Sequence, residues 1–216
     1  MTIKLISFDF DGVIVHGFNT WFKIRELRNI PEGRYLDFQN GLIDGLEFRN
    51  SEHVLYKQVK LCKKDFEDVA NILELSPHVK EVITELKNQG YILAINSAGP
   101  KLSIQTKLER EGINFFKYIC SMIPLFDANG FFYDTSVPYL DEIKMFDKLK
   151  ALELISKKES IPLKEMVHVG DGVNDIKAFE KSIGISYNPQ NKRVIESAKY
   201  NIDDLKDLIP LLKKLR

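Results

Sequence analysis

A chain of 216 residues, 44% hydrophobic and 29% charged, can bury a full core in one or two domains and has a globular composition. Its 31 basic and 31 acidic side chains cancel, so no overall field draws it to nucleic acid or an anionic membrane. Cys62 and Cys120 are too few for a disulfide scaffold or a zinc site, no run is long enough to cross a membrane, and the N-terminus leads into a strand without a signal peptide; the expectation is cytoplasmic.

Ile3 to Phe8 is short, apolar and β-branched, and reads as a buried strand. It ends in Asp9-Phe10-Asp11-Gly12. Carboxylates two residues apart fall on one side of an extended backbone, and Gly12 lets the chain turn directly after them. Asn19 or Thr20 can cap a helix over Trp21 to Leu27. From about Leu36 to Leu75 the apolar spacing stays helical, so residues 18–76 are predicted to be an all-helical insertion. Ser76-Pro77 reads as an N-cap followed by proline at the first helical position, and the helix Val79 to Asn88, with Val79, Val82, Ile83 and Leu86 on one face, stops at Gly90.

Tyr91 to Ile95 is a second buried strand and ends in Asn96-Ser97-Ala98-Gly99-Pro100. A helix over Lys101 to Arg110, a strand near Tyr118 to Met122 and a hairpin at Asn129-Gly130 follow. A long helix is expected from about Ile143 to Ser156. Met166 to Val169 is a strand ending in Gly170-Asp171-Gly172-Val173-Asn174-Asp175. After it come a helix over Ile176 to Lys181, a strand over Ile183 to Ser186, a helix opened by Asn188-Pro189, a short strand at Tyr200 to Ile202 and a terminal helix. Outside the insertion strand and helix alternate, which predicts an α/β, Rossmann-like, doubly wound parallel sheet. The catalytic core is then 1–17 and 77–216, with 18–76 an inserted helical cap.

Asp9 and Asp11, Ser97, and Asp171 and Asp175 all follow strands, and parallel strands bring their carboxyl ends to one edge. Clustered carboxylates need a cation, and an oxygen set without His or Cys favours Mg²⁺ over zinc. Mg²⁺ with few protein ligands usually accompanies a phosphate group. The Ser97 hydroxyl and the Ala98 and Gly99 amides can donate to phosphate, and a lysine should counter the remaining charge. Lys144, at the expected helix start, is preferred to Lys148, one turn later on the same face. His168, flanked by Val in a strand, reads as a satisfied core histidine. Arg25, Arg28, Arg34, Arg49 and Lys57 read mostly as solvated helix faces, with one or two meeting a substrate.

In this order the clusters resemble the haloacid dehalogenase-like phosphatase superfamily. Its first motif is matched by Asp9-Phe-Asp-Gly-Val, its second by the strand ending in Ser97, its third by Lys144 and its fourth by Gly-Asp171-Gly-Val-Asn-Asp175. The resemblance implies that Asp9 attacks phosphorus to give an aspartyl-phosphate, and that Asp11 protonates the leaving alkoxide and then activates water. It implies Mg²⁺ held by Asp9, the Asp11 backbone carbonyl and Asp171, with Asp175 beside or behind them, and phosphoryl oxygens held by Ser97, Ala98, Gly99 and Lys144. The implied activity is Mg²⁺-dependent hydrolysis of a small phosphorylated metabolite. Competing readings are a phosphotransferase or sugar-phosphate mutase using the same intermediate, and a non-catalytic phosphate-sensing module. A monomer or homodimer without nucleic-acid or membrane partners is expected. The early helical insertion is similar to the cap of phosphoserine phosphatases. Where that group carries an early cap Glu for the substrate amine and a cap Arg for its carboxylate, this chain has Phe18 and the neighbourhood of Lys57.

Overall fold

The computed structural model describes residues 2–17 and 19–215, so Phe18, the position matched to the cap Glu, lies outside the described residues. The first strand, β1 (Leu5–Phe8), is buried at every position, as a strand covered on both faces must be. Four helices follow: α1 (Thr20–Leu27), α2 (Tyr35–Gln39), α3 (Gly45–Gln58) and α4 (Lys63–Ile72). Asn19 caps α1 by accepting from the Trp21 amide, and Asp44 with Glu47 forms a capping box on α3. Among the described residues no strand lies between β1 and β2; pairing there is limited to isolated bridges such as Val15 with Leu75 and Cys62 with Phe131.

Strand and helix then alternate as α5 (Val79–Asn88), β2 (Ile92–Pro100), α6 (Lys101–Arg110), β3 (Tyr118–Phe126), β4 (Phe132–Ser136), α7 (Lys148–Glu159), β5 (Met166–Gly170), α8 (Ile176–Lys181), β6 (Ile183–Tyr187), α9 (Lys192–Ser197), β7 (Tyr200–Ile202) and α10 (Leu208–Lys214). The sheet runs β4-β3-β2-β1-β5-β6-β7, parallel except for β4, which returns from β3 through the hairpin at Gly130. The central position of β1 decides where chemistry can occur. Phe8 pairs with Ile95 on β2 and Val169 on β5, so Asp9, Asn96 and Gly170 stand at one level along the sheet.

Successive β1 residues feed opposite faces of the sheet. Ile6 joins a cluster with Val82, Ile83, Leu86 and Leu108, whereas Leu5 joins Ala151, Ile155 and Met166. A third cluster lies within the insertion, where Ile24, Tyr56, Phe66 and Val69 pack with Phe132 of β4. The Ser103 hydroxyl donates to the Phe66 carbonyl and ties α6 to α4.

Two predicted helix starts and one cap are corrected. Helix α5 spans Val79–Asn88 as expected, but its N-cap is His78, left-handed at φ 65°, so Ser76 does not cap it and Pro77 precedes the helix. Helix α9 begins at Lys192 behind Asn191, since the Asn188 amide is used by the Ile202 carbonyl. The long helix begins at Lys148, not near Ile143. Residues 141–146 are a loop in which the Asp141 carboxylate accepts from the Met145 amide and Lys144 sits at φ 62°, and Asp147 caps the helix.

Packing between α8 and β6 requires a bare backbone at Gly184, where a Cβ would lie 2.5 Å from the Phe179 Cβ and 2.8 Å from its Cα. Gly184→Ala should cost about 1–3 kcal/mol, because the clash is with backbone-fixed atoms. Urea denaturation measures this; an unchanged midpoint would mean that α8 slides without cost.

Candidate active site

Asp9 directly follows β1 and is 4% exposed. One carboxylate oxygen accepts from the Phe10 amide at 2.6 Å, and the other accepts from the Lys148 ammonium. Lys148 also donates to Asp175 at 2.6 Å, so one buried cation bridges two buried acids. Its position follows from the helix start. Asp147 caps α7 by accepting from the Lys150 amide, and the Asn96 side chain of β2 holds the Lys148 carbonyl at 2.9 Å.

Asp175 is fully buried, and its carboxylate is filled with donors. Lys148 and His168 Nε2 (2.8 Å) meet Oδ1, and the Gly172 amide (3.0 Å) meets Oδ2. His168 in turn reaches the Ser7 hydroxyl at 3.3 Å. Asp171 is half-buried and closes the group: Asp9, Asp171 and Asp175 each offer a carboxylate oxygen within 4.8 Å of the others. Close approach here depends on two glycines. A Cβ on Gly12 (φ 79°) would stand 2.1 Å from the Asp171 carboxylate, and one on Gly170 would stand 2.2 Å from Asp175 Cγ.

The Asp11 carboxylate stands beside this group, not within it. It accepts from both the amide and the hydroxyl of Thr20, the first residue of α1. Burial, partly offset by those Thr20 bonds, pushes its carboxyl up to about 7. Burial, with the charges of Asp9 and Asp175, likewise lifts Asp171 to about 7. Burial raises Asp9 too, against the opposing pull of Lys148. Burial would also raise Asp175 and lower Lys148, but the attraction between them wins, holding Asp175 below and Lys148 above their ordinary ranges.

Past the pairing at Asn96, β2 shifts register against β3, which frees Ser97-Ala98-Gly99 from the ladder. The Ser97 hydroxyl accepts from the Gly99 amide at 3.2 Å. The Ala98 carbonyl accepts from Trp21 Nε1 at 3.0 Å, linking this loop to α1.

Lys144 is the expected site residue that the structure does not bring to the acids. It is exposed, and its carbonyl accepts from Arg49. The helix expected from about Ile143 starts behind the Asp147 cap, and that difference moves the expected lysine by one turn. Arg25 and Arg49 are buried, against the expectation of solvated faces; Arg25 pairs with Glu52 at 2.6 Å. Lys57 and Arg34 are exposed. Thr20 and the His168–Asp175 contact were not foreseen. Thr20 carried only a capping signal, and a hydrogen bond between β5 and the following turn leaves no trace in periodicity.

Removing Lys148 strips the shared cation from two buried carboxylates. Lys148→Ala should cost about 3–5 kcal/mol in urea unfolding, whereas Lys144→Ala should stay within about 0.5 kcal/mol. Equal losses would contradict this placement.

Residues 3–182 match the family described as haloacid dehalogenase-like hydrolase. The chain is 30% identical to a phosphoserine phosphatase of Methanocaldococcus jannaschii, over 83% of this chain and 82% of that protein. It is 29% identical to a Pasteurella multocida phosphoglycolate phosphatase over 51% of this chain and 58% of that one. A solved phospho-aspartyl intermediate analogue of phosphoserine phosphatase superposes with a TM-score of 0.73 at 26% identity, covering 98% of this chain and 99% of the other. The chain belongs to the haloacid dehalogenase-like hydrolase family, in its phosphoserine-phosphatase-like group of phosphatases.

Proposed function

We propose that the protein is a Mg²⁺-dependent phosphomonoesterase acting on a small phosphorylated metabolite through an aspartyl-phosphate on Asp9. What carries the reading is the contrast between two acids two residues apart: Asp9 is held against the Lys148 ammonium, and Asp11 is held against the neutral Thr20 hydroxyl with its carboxyl near 7. Such a pair suits a nucleophile and a proton carrier.

In the first step an Asp9 oxygen bonds to phosphorus, the ester P–O bond breaks, and Asp11 gives its proton to the departing alkoxide. In the second, Asp11 takes a proton from water, the water oxygen bonds to phosphorus, and the bond to Asp9 breaks, releasing phosphate. Ser97, the Ala98 and Gly99 amides and Lys148 hold the phosphoryl oxygens. Lys148 takes the role expected of Lys144. Three hard carboxylate oxygens within 4.8 Å, with one ammonium among them, fit Mg²⁺. Asp9, Asp171 and the Asp11 backbone carbonyl would hold it, with Asp175, already filled with donors, fixing Lys148 and the Gly170–Gly172 turn behind them. When bound, Mg²⁺ neutralises charge on the carboxylates and the phosphoryl oxygens. Residues 18–76 act as the cap over a core of 1–17 and 77–216, a division supported by the separate cluster around Phe66.

Two measurements test the assignment. With Mg²⁺ and acetyl phosphate, whose leaving group needs little protonation, Asp11→Asn should retain a phosphoryl mass after acid quench and Asp9→Asn should not; EDTA should abolish the labelling of Asp11→Asn. Label on Asp9→Asn, or labelling that survives EDTA, would refute the assignment. With an alkyl ester, Asp11→Asn should lose about 10²–10⁴-fold in rate.

The second measurement is pH. The first step needs protonated Asp11, so single-turnover phosphorylation by an alkyl ester should be constant just below about pH 7 and fall as pH rises past it. That alkaline fall should vanish in Asp11→Asn; its persistence would point to another acid.

A further inference from the structure

A chamber of about 130 Å³ is lined at one side by Asn19, which precedes the Thr20 that holds Asp11, and by Ala98, which follows Ser97. Six aromatic residues from the helical insertion line it: Trp21, Phe22, Tyr35, Phe38, Phe48 and Tyr56. Trp21 and Tyr56 are stacked at 5.9 Å with planes 5° apart, and Phe38 and Phe48 at 5.2 Å with planes 16° apart. A cavity of about 150 Å³ with apolar walls is large enough for benzene.

The polar lining narrows the occupant. The Arg25–Glu52 pair cancels its own charge, and Tyr56 also donates to Glu52. The remaining Glu52 oxygen is buried without a hydrogen-bond partner and faces Gly33, where a Cβ would be 1.9 Å away. Burial keeps the His53 ring neutral, lowering it to about 4. Arg49 is 9% exposed and makes no ion pair among the described residues, although its guanidinium donates to the Lys144 carbonyl. The lining is therefore net positive. A quaternary ammonium, which aromatic walls alone would suit, meets that positive charge. A zwitterionic amino acid finds no carboxylate unclaimed by Arg25 for its ammonium.

We infer that the chamber receives the alcohol part of the substrate, and that this part is a single flat apolar ring, uncharged or carrying an acceptor toward Arg49, and not an amino acid or a choline-like cation. The inference rests on the phosphomonoesterase reading and names its substrate class.

The test compares kcat/KM with Mg²⁺ for benzyl phosphate, ethyl phosphate, phosphoserine and phosphocholine on the full chain. Benzyl phosphate should exceed each of the others by about 10–100-fold. Phe48→Ala should reduce the benzyl-to-ethyl ratio at least about fivefold. Trp21, the only tryptophan, gives a readout independent of turnover and of the variant: benzyl alcohol should shift its emission saturably and serine should not. Turnover without benzyl preference, or with phosphoserine or phosphocholine preferred, overturns the substrate class and leaves the phosphatase reading standing. A saturable shift by benzyl alcohol with no ester hydrolysed does the reverse, and absence of both defeats both.

Discussion

The site is built around one ammonium group in a place with almost no water. Lys148 is 1% exposed and lies between two acids that are themselves buried. Isolated charges do not survive such burial, so each of the three depends on the others. That dependence reaches far into the fold. The lysine is supplied by the start of α7, the acids by the ends of β1 and β5, and the register that levels those ends comes from two parallel ladders. The Asn96 side chain closes the circuit by holding the first carbonyl of α7.

Around this group the acids have separate surroundings. Asp175 is saturated by Lys148, His168 and a backbone amide, and so works as a brace. Asp171 is the less buried member and keeps capacity for a cation. Asp9 shares the lysine and takes its other bond from the Phe10 amide. Asp11 has left the group for Thr20. Four carboxylates in two short motifs thus acquire four different surroundings through contacts that motif spacing does not encode.

The strands were legible because each is a compact apolar run ended by polar or small residues, and β1, β2 and β5 deliver Asp9, Ser97 and Asp171 to one edge as their order implied. The all-helical stretch between β1 and β2 was legible from period alone. What escaped was the start of the long helix, placed near Ile143 although the chain turns through a loop until Asp147 caps it. The misplacement of the lysine was a consequence of that shift. Arg25 was misread for a different reason. Its burial depends on Glu52, 27 residues later on another helix, and pairing across that separation has no local pattern. Thr20 illustrates the same limit, since one residue both opens α1 and holds Asp11.

That shared use of Thr20 places the proton of Asp11 at a seam. Its hydroxyl and amide favour the ionised carboxylate, yet they belong to a helix of the insertion and not to the sheet. A displacement of α1 would withdraw both donors but also admit water, and because burial is the larger effect the carboxyl would fall back toward the ordinary carboxylate range. The Trp21 indole, clasping the Ala98 carbonyl one residue farther along, would let go in the same movement. Acid strength at this site is therefore a mechanical variable: seating the helix shuts out the water that would hold Asp11 in the ordinary carboxylate range, and the same residue that closes the seam supplies the donors that temper the shift.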